Sequence, residues 1–219
     1  MFLELAEVLD CPVCRDGFGL VAFVSASERR RVLEGRLGCP ICEIELPIRG
    51  GTVDAGGASA DPAPEGPADP PSHGELPAAG DLPVALAALL GVQERKGGRF
   101  LLGPPLGAHA AAVAGHGERL ELIAWMGADA DPPFSLDELS SGVNPVSGID
   151  PVRWPVRAGS LDGVALAGAS APPSEAWRAL RSGGRLVLFA HGSPDVEAAA
   201  AAGFRELASD PGAWVGERP

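Results

Sequence analysis

The turns at residues 11–14 (CPVC) and 39–42 (CPIC) decide how the amino-terminal part of this chain folds. They contain all 4 cysteines of the 219-residue sequence, in two C-x-x-C pairs. One C-x-x-C turn lets two thiolates converge on one ion, and a second turn completes the tetrahedron that Zn²⁺ prefers. Because four thiolates leave no open coordination position, the pattern predicts a structural zinc ion. Its predicted ligands are Cys11, Cys14, Cys39 and Cys42.

Two other interpretations of the cysteines are a pair of disulfides and a redox C-x-x-C motif. Disulfides would need an export signal, and residues 1–4 (MFLE) lack the basic start and long apolar core of a signal peptide. A redox protein usually has one such motif inside a βαβ unit, whereas here two motifs flank a short β-rich stretch. We therefore expect a reducing, cytoplasmic location in which the thiols stay free to bind metal.

The formal net charge of −12 disfavours nucleic-acid binding through the overall field of the molecule. Basic residues concentrate at Arg29, Arg30 and Arg31, with Arg36 and Arg49 nearby in the sequence. Such a run is more often a solvated hairpin edge that blocks strand pairing than a binding site. No apolar run reaches the roughly 18 residues that a membrane span needs, so we expect no membrane partner.

Three short strand patterns surround the cysteines. Residues 18–24 (FGLVAFV) form an apolar run, and residues 31–37 and 44–48 (IELPI) alternate apolar with polar side chains. A segment of this size buries too little apolar surface to fold alone. Zinc binding would supply the missing stability, on the order of 10 kcal/mol. Residues 1–53 are therefore predicted to be a small β-rich zinc ribbon.

The stretch CPVC…GCPICEIELPIRGGTVD carries a family resemblance. After the second cysteine turn, residues 44–51 (IELPIRGG) place an apolar residue, then Pro-Ile, then a glycine turn. This pattern resembles a Trm112-type zinc ribbon, over about a quarter of the chain. Ribbons of this type are partners of methyltransferases or are fused to them. The resemblance implies a module that docks on a protein partner or recruits a substrate, and not a catalyst.

Residues 54–80 are predicted to be a linker. They consist mainly of Ala, Pro, Gly and acidic residues, and no Lys or Arg occurs between Arg49 and Arg95. This composition offers too little apolar surface to offset the entropy of ordering, and its prolines favour extended conformations. We predict a flexible or extended acidic segment. His73 within it is expected to be solvated, because four thiolates already complete the zinc shell.

Residues 81–219 alternate helix and strand patterns. Asp81 and Pro83 mark the start of a helix, and the other predicted helices are 108–114, 174–181 and 195–202. The predicted strands are 99–102, 120–125, 161–167 and 185–190, with closing strands at 204–207 and 213–215. Residues 129–151 read as a loop with a short helix at 135–139. Short apolar strands that alternate with helices predict a mostly parallel α/β sheet with right-handed crossovers.

Three segments of this domain resemble the class I S-adenosylmethionine-dependent methyltransferases. Residues 156–168 (VRAGSLDGVALAG) resemble the family's fourth strand, and residues 177–190 (WRALRSGGRLVLFA) resemble the helix and Gly-Gly turn into its fifth strand. Residues 201–219 (AAGFRELASDPGAWVGERP) resemble its terminal β-hairpin. The resemblance implies a Rossmann-like, methyltransferase-type fold, with S-adenosylmethionine (SAM) as a candidate cofactor.

The cofactor loop departs from that family's pattern. The family's first strand ends in an acidic residue and a G-x-G-x-G turn, whose glycines let the backbone approach the cofactor. Gly103 and Gly107 match the outer glycines and are the candidate cofactor-binding residues. Pro105 stands at the middle position, where it fixes φ and removes an N–H group, and Leu102 ends the strand. The family also has an acidic residue for the ribose after its second strand, where this chain has Trp125.

Other candidate residues have simpler structural explanations. Residues 131–134 (DPPF) resemble the D-P-P-[YF] motif of N-methyltransferases but follow the second strand rather than the fourth. His109 and His116 flank one helix on nearly the same face, where capping or exposure is a simpler account than acid–base chemistry. Asp162 suits a structural position at a strand start. His191 follows the fourth apolar strand, at the edge where open α/β sheets bind ligands, and is the best single candidate for chemistry in a pocket.

Three functions stay open, and the catalytic residues stay unassigned. The broken glycine turn favours a methyltransferase-like scaffold, a pseudo-enzyme whose ribbon docks on a protein partner. The first alternative is an active SAM-dependent methyltransferase whose ribbon recruits the substrate and which positions an acceptor beside an electrophilic methyl group. The second is an RNA- or ribosome-associated zinc-ribbon factor that uses the arginine run. Fold similarity alone does not establish activity, and the sequence does not indicate the oligomeric state.

Overall fold

The computed structural model describes residues 1–15, 17–56, 76, 78, 80–94, 96–127, 142–168 and 170–219. Its strands are β1 (Val21–Glu28), β2 (Arg31–Gly38), β3 (Glu45–Arg49), β4 (Thr52–Asp54), β5 (Gly98–Leu102), β6 (Leu120–Trp125), β7 (Val143–Ser147), β8 (Leu161–Ala167), β9 (Leu180–Phe189), β10 (Arg205–Ser209) and β11 (Ala213–Glu217). Its α-helices are α1 (Leu82–Leu89), α2 (Ala110–Ala114), α3 (Pro173–Ala179) and α4 (Ser193–Ala202). Short 3₁₀ helices occupy Leu3–Glu7, Val92–Glu94 and Leu106–His109.

These strands form one 11-stranded sheet in the order β1-β2-β3-β4-β7-β6-β5-β8-β9-β11-β10. Strands β7, β6, β5, β8 and β9 are parallel to one another, and β11 closes antiparallel between β9 and β10. The chain order reverses between β5 and β8, so their carboxyl ends form the topological switch point. This is the mostly parallel, Rossmann-like α/β fold of methyltransferase type that the sequence predicts, preceded by a small β-rich ribbon.

The ribbon strands β1 to β4 pair antiparallel in chain order. Leu37 pairs with Leu46, and Ile48 pairs with Val53. All four side chains are buried, whereas Glu45 and Arg49 at the two ends of β3 are exposed. The alternation in the sequence therefore reports one buried and one solvated face, as expected for an antiparallel sheet.

Strand β7 corrects one prediction from the sequence. The sequence predicts a loop over residues 129–151, but Val143–Ser147 forms a strand between β4 and β6. Proline is unfavourable in a central strand, so the local sequence around Pro145 does not predict one. Pro145 nevertheless lies opposite Ala124 in the β6–β7 ladder, and the loop prediction is therefore wrong. Asn144 is buried there, and its side-chain oxygen accepts a backbone N–H from the amino-terminal segment at 2.7 Å.

Most of the remaining helices and strands lie close to their predicted positions. Three regions differ: β1 spans Val21–Glu28 rather than residues 18–24, β4 was not predicted, and the boundary between α3 and β9 is shifted. The helix predicted over 174–181 ends at Ala179, and β9 begins at Leu180. The Gly-Gly turn expected before the strand predicted at 185–190 is an irregularity inside β9, between the pairs Leu161–Leu180 and Gly163–Arg185. The predicted helix at 135–139 lies outside the described residues. None of the helices in the described ranges is long and apolar enough to cross a membrane.

The ribbon and the α/β part share one sheet and one core. Strand β4 pairs parallel with β7, where Val53 lies opposite Val146. Beneath the sheet, the N–H of Arg157 donates to the carbonyl of Val8 at 2.9 Å. Leu9 of the amino-terminal segment belongs to the same buried cluster as the inner residues of α3 and α4, while α1 and α2 cover the opposite face. The amino-terminal segment therefore does the packing that a covering helix does in other α/β folds.

The predicted division into 1–53, 54–80 and 81–219 stays a prediction about folding units. Most of residues 54–80 lie outside the described residues. At the start of this segment, the N–H of Ala55 donates to the carbonyl of Ser147 at 2.9 Å, so the chain leaves the ribbon along β7.

Candidate functional site

The two cysteine turns bring the four thiols together. The four Sγ atoms lie within 4.8 Å of one another, with 3.6 Å between Cys11 and Cys42 and 3.9 Å between Cys14 and Cys39. With Zn–S bonds of about 2.3 Å, a tetrahedral site has sulfur–sulfur edges of about 3.8 Å. The thiols therefore have the spacing that a tetrahedral metal ion requires, and none of the four forms a disulfide.

Backbone N–H groups point at these sulfur atoms. The N–H of Cys14 donates to Sγ of Cys11 at 3.4 Å, and the N–H of Ile41 donates to Sγ of Cys39 at 3.4 Å. The N–H of Ile44 and neighbouring thiols lower the pKa of Cys42 to about 7, whereas burial raises the pKa of Cys11 and neighbouring thiols raise that of Cys14. Such donors stabilise and orient thiolate, the form of cysteine that binds metal.

A buried charge network fastens the first cysteine turn to α3. Arg15, which follows the turn, places Nη1 3.1 Å from Oε1 of Glu175. Arg178 places Nη2 3.0 Å from Oε2 of Glu175, and the N–H of Trp154 donates to the same oxygen at 3.2 Å. Glu175 is 8% exposed. The turn is thus tied to the α/β part through one carboxylate that accepts hydrogen bonds from five N–H donors.

The protonation state of Glu175 follows from these contacts. Burial acts to raise the pKa of Glu175, but hydrogen bonds and charge from Arg178, the N–H of Trp154 and the charge of Arg15 outweigh it. The net effect is a pKa below the ordinary value for glutamate. The carboxylate is therefore charged at neutral pH, and the network is an ion triad rather than a set of neutral hydrogen bonds.

The glycine loop after β5 is packed against its own chain. A Cβ on Gly103 would lie 2.8 Å from Cδ2 of Leu166 and 3.7 Å from Cε3 of Trp125. A Cβ on Gly107 would lie 2.6 Å from the carbonyl oxygen of Trp125. At Gly107 a backbone atom requires glycine, whereas at Gly103 the nearest atom is the tip of a leucine side chain. The glycines therefore do not by themselves indicate approach of a ligand, and their role as cofactor contacts stays a prediction.

Beside this loop, Trp125 at the carboxyl end of β6 contacts Trp154 of the segment between β7 and β8. Trp125 ends β6 and is 5% exposed, and Trp154 is 1% exposed. Their ring centroids are 5.8 Å apart with an interplanar angle of 70°, an edge-to-face contact. Nε1 of Trp154 donates to the carbonyl of Pro151 at 2.9 Å. Where the resemblance implies a carboxylate for the ribose, the structure thus has a buried indole followed by the buried Met126.

The arginine run does not form one continuous basic surface. The side chain of Arg29 is 90% exposed, and Arg30 forms an ion pair with Glu4. Arg31 is buried and packs over the ring of Phe2, with its guanidinium carbon 4.8 Å from the ring centroid. Burial of Arg31 removes one of the three cations on which a nucleic-acid contact would depend.

The other candidate residues, His109, His116 and Asp162, lie in or next to different elements. His109 ends the 3₁₀ helix before α2, and His116 follows α2. Asp162 is buried at the start of β8, where its Oδ2 accepts the N–H of Arg99 at 2.8 Å, which is the structural position predicted for it. Residues 131–134 and His73 lie outside the described residues.

His191 lies just beyond β9 and lines a cavity of about 740 Å³ at the start of α4. Both ring nitrogens are buried and have no hydrogen-bond partner within the described residues. Ala190 before it has a left-handed φ of 48°, which is uncommon for a residue other than glycine. The prediction that His191 sits at a pocket edge agrees with this position, while any chemistry there stays a prediction.

Neither the network around Glu175 nor the role of Trp154 could be predicted from the sequence. Glu175 and Arg178 are spaced for an i, i+3 pair on a helix, which is an ordinary surface pattern. Arg15 lies 160 positions away in the chain from Glu175. A local pattern cannot show a contact over that separation.

No protein-family model matches this chain, and no curated protein matches it. Solved structures do match. The crystal structure of the [4+2]-cyclase SpnF is 16% identical over 63% of this chain and 64% of the cyclase, with a TM-score of 0.48. The Burkholderia thailandensis 1,6-didemethyltoxoflavin-N1-methyltransferase, with 1,6-didemethyltoxoflavin and S-adenosylhomocysteine bound, is 14% identical over 62% of this chain and 77% of its own, with a TM-score of 0.48.

A chain of the Haloferax volcanii complex that contains the Trm112 methyltransferase activator is also similar. It is 14% identical over 63% of this chain and 89% of its own, with a TM-score of 0.47. This chain spans less than two thirds of the length of the cyclase. At these identities and scores, the matches say nothing about activity, substrate or partner.

Proposed function

We propose that this chain is a methyltransferase-fold scaffold, a pseudo-enzyme, held together by a structural zinc ion and working through a protein partner. The observation that carries the proposal is the buried indole of Trp125 beside Gly103, at the position where the related enzymes have a carboxylate for the ribose. A nucleoside cofactor needs polar groups for its hydroxyls and room for its backbone contacts. Here the space that a Cβ would enter at Gly103 and Gly107 is filled by atoms of Leu166 and Trp125.

The second support is chemical. Pro105 stands at the middle of the loop and has no N–H group to offer a ligand. Gly107 packs closely against the carbonyl of Trp125. A movement of the loop that opened a cleft there would break this contact. Binding of SAM would therefore require rearrangement of the loop and of the tryptophan pair together.

The zinc ion belongs to the proposal as a structural cofactor. Cys11, Cys14, Cys39 and Cys42 would hold it, with no position left for a water or substrate. The proposal places the protein in a reducing compartment, the cytoplasm, where thiols are kept free of disulfides. A protein partner would meet the ribbon on a surface other than the β4 edge, because β4 already pairs with β7.

An active SAM-dependent methyltransferase is the second candidate, and one observation favours it. The order of the strands places Gly103 at the topological switch point, where open α/β sheets bind their ligands. An RNA- or ribosome-associated factor is less well supported, because burial of Arg31 reduces the basic surface.

Calorimetric titration of the zinc-loaded protein with SAM and with S-adenosylhomocysteine tests the proposal. We expect no saturable heat up to millimolar ligand, which corresponds to binding weaker than about −4 kcal/mol. A methyltransferase known to bind SAM serves as the positive control, and metal analysis of the same sample shows that the ribbon is loaded. A micromolar dissociation constant for either ligand would overturn the scaffold and establish the second candidate.

A further inference from the structure

The amino ends of β5, β6 and β8 line a second cavity of about 450 Å³, at the edge of the sheet opposite the glycine loop. Of the residues that the structure describes, six charged ones line it: Lys96, Arg99, Arg119, Arg181, Glu121 and Asp162. Four cations against two carboxylates give a local charge of 4 − 2 = +2, in a chain whose net charge is −12. A cluster of the opposite sign to the whole chain is the feature that needs explanation.

The buried carboxylate of Asp162 fixes the frame of this cavity. Asp162 is 8% exposed, and its Oδ2 accepts the backbone N–H of Arg99 at 2.8 Å. Its Oδ1 forms an ion pair with Arg181 of β9. The carboxylate of Asp162 therefore holds the start of β5 in place and orients the guanidinium of Arg181. This wall of the cavity is formed by residues of the sheet itself.

The guanidinium of Arg99 is held at one end only. Its Nε donates to Oε2 of Glu121 at 2.6 Å. Its two terminal NH₂ groups have no hydrogen-bond partner within the described ranges. Glu121 thus holds the side chain in place while leaving its terminal donors available. An arginine held in this way loses less conformational entropy when it binds an anion.

Lys96 and Arg119 supply the excess positive charge. Among the residues that the structure describes, neither side chain has an ion pair or a hydrogen bond. Arg119 has a left-handed φ of 54°, and its carbonyl faces Gly97, where a Cβ would lie 3.2 Å from it. The backbone of the turn into β6 therefore packs closely against the turn into β5, which brings the two cations to one cavity.

We propose that this cavity binds a small molecule that carries a phosphate group. The phosphate dianion would accept hydrogen bonds from the free end of Arg99 and from Lys96 and Arg119, since Arg forks and Lys point charges are the usual phosphate ligands. A volume of about 450 Å³ lies within the range of small-molecule sites. The net charge of −12 repels a long polyanion, which favours a small phosphorylated ligand over a nucleic-acid backbone.

Titration with inorganic phosphate, with a nucleoside 5′-monophosphate and with a short single-stranded RNA tests the proposal by calorimetry. We expect saturable binding of the two small anions with a millimolar or lower dissociation constant. In Lys96→Gln/Arg119→Gln the affinity should fall at least tenfold, because the two unpaired cations are gone. Raising the chloride concentration should weaken binding to the native protein, since charge contributes most of it.

The matched control is Arg29→Gln/Arg30→Gln, which removes the same charge from the turn between β1 and β2. It should bind both small anions as the native protein does. Thermal unfolding of both variants checks that each is folded. The proposal is overturned by an absence of saturable phosphate binding, by equal affinity in the two double variants, or by binding of the RNA alone. None of these outcomes depends on whether SAM binds at the opposite edge of the sheet.

Discussion

The cysteine turns and the glycine loop are both short motifs with fixed spacing, yet the structure uses them differently. In the ribbon, four thiols converge at 3.6 to 3.9 Å along two edges, and backbone N–H groups point at the sulfurs. In the loop, Gly103 and Gly107 face atoms of Leu166 and Trp125. The first motif leaves a gap of the size of an ion, whereas in the second the space that a Cβ would enter at each glycine is filled by atoms of the chain.

The comparison teaches that spacing alone does not identify a site. Thiolates have few uses in a reducing environment other than metal or redox chemistry, so four of them at ribbon spacing constrain the function strongly. Glycine has many uses, because any close approach of backbone to its surroundings requires one. Whether the neighbour is a ligand or the protein itself can be seen only in the fold.

Loss of the metal should have the largest effect on stability. Cys39→Ser removes a buried ligand, and metal binding contributes on the order of 10 kcal/mol in ribbons of this size, comparable with the whole stability of a typical domain. We expect the ribbon to unfold and, because β4 is part of the common sheet, the α/β part to be destabilised as well. Metal analysis and thermal unfolding by circular dichroism measure both effects.

Ile41→Ser is the matched control for the zinc prediction. Ile41 lies in the same turn, and its side chain is exposed and does not contribute a ligand atom. This variant should keep about one zinc ion per chain and unfold close to the native temperature, since exposed substitutions usually change stability by less than about 0.5 kcal/mol. A folded, metal-free native protein would contradict the whole zinc assignment.

Removal of Glu175 should have the next largest effect. Glu175→Ala leaves Arg15 and Arg178 facing each other without their carboxylate, and breaking a buried pair from one side costs about 3 kcal/mol. Glu94→Ala is the control, because its ion pair with Arg185 is largely exposed and should contribute less than about 1 kcal/mol. Chemical denaturation of the zinc-loaded proteins measures the difference. Equal losses in the two variants would show that the first cysteine turn is not fastened to α3.

The same network predicts a dependence on pH. Because the pKa of Glu175 is lowered in the folded state, its contribution is fully present above the unfolded pKa of about 4.3 and is lost as pH falls through the folded value. The stability difference between the native protein and Glu175→Gln should therefore shrink below about pH 4. Comparing the two proteins at each pH cancels the loss of zinc that both share. A difference that stays constant down to pH 3 would refute the ionised network.

Much of the fold could be predicted because its signals are local. The strands β6 and β8 have the bounds that the sequence predicts, and the spacing of the four cysteines predicts that their thiols cluster. Strand β7 was missed because Pro145 argues against a central strand when only local rules are applied. The parallel pairing of β4 with β7 joins segments about 90 residues apart, and no periodicity within either strand encodes it.

The candidate site divides in the same way. The candidate metal ligands follow from cysteine spacing, whereas the packing beside the loop involves two tryptophans from different parts of the chain, Trp125 and Trp154. The sequence shows that a carboxylate is missing after β6, but it does not show what takes its place. That answer needs the contact between β6 and the segment before β8, which only tertiary packing supplies.

The glycine loop gives the smallest of the mutational effects. Gly107→Ala would place a Cβ 2.6 Å from the carbonyl of Trp125, and overpacking of this kind costs about 1–3 kcal/mol. Gly80→Ala is the control, because a Cβ there meets nothing within 4 Å. Equilibrium denaturation should separate the two variants. If Gly107→Ala were as stable as Gly80→Ala, the loop would have space beside it, and the scaffold account would lose its main support.

The most direct test of the comparison is one thermal unfolding experiment on the zinc-loaded protein under three conditions: buffer alone, millimolar SAM, and a metal chelator. A ligand at 100 times its dissociation constant stabilises by about 2.7 kcal/mol, so a functional cofactor site would raise the melting temperature by several degrees. The account predicts a large decrease with the chelator and no change with SAM. An increase with SAM, or no decrease on metal removal, would contradict it.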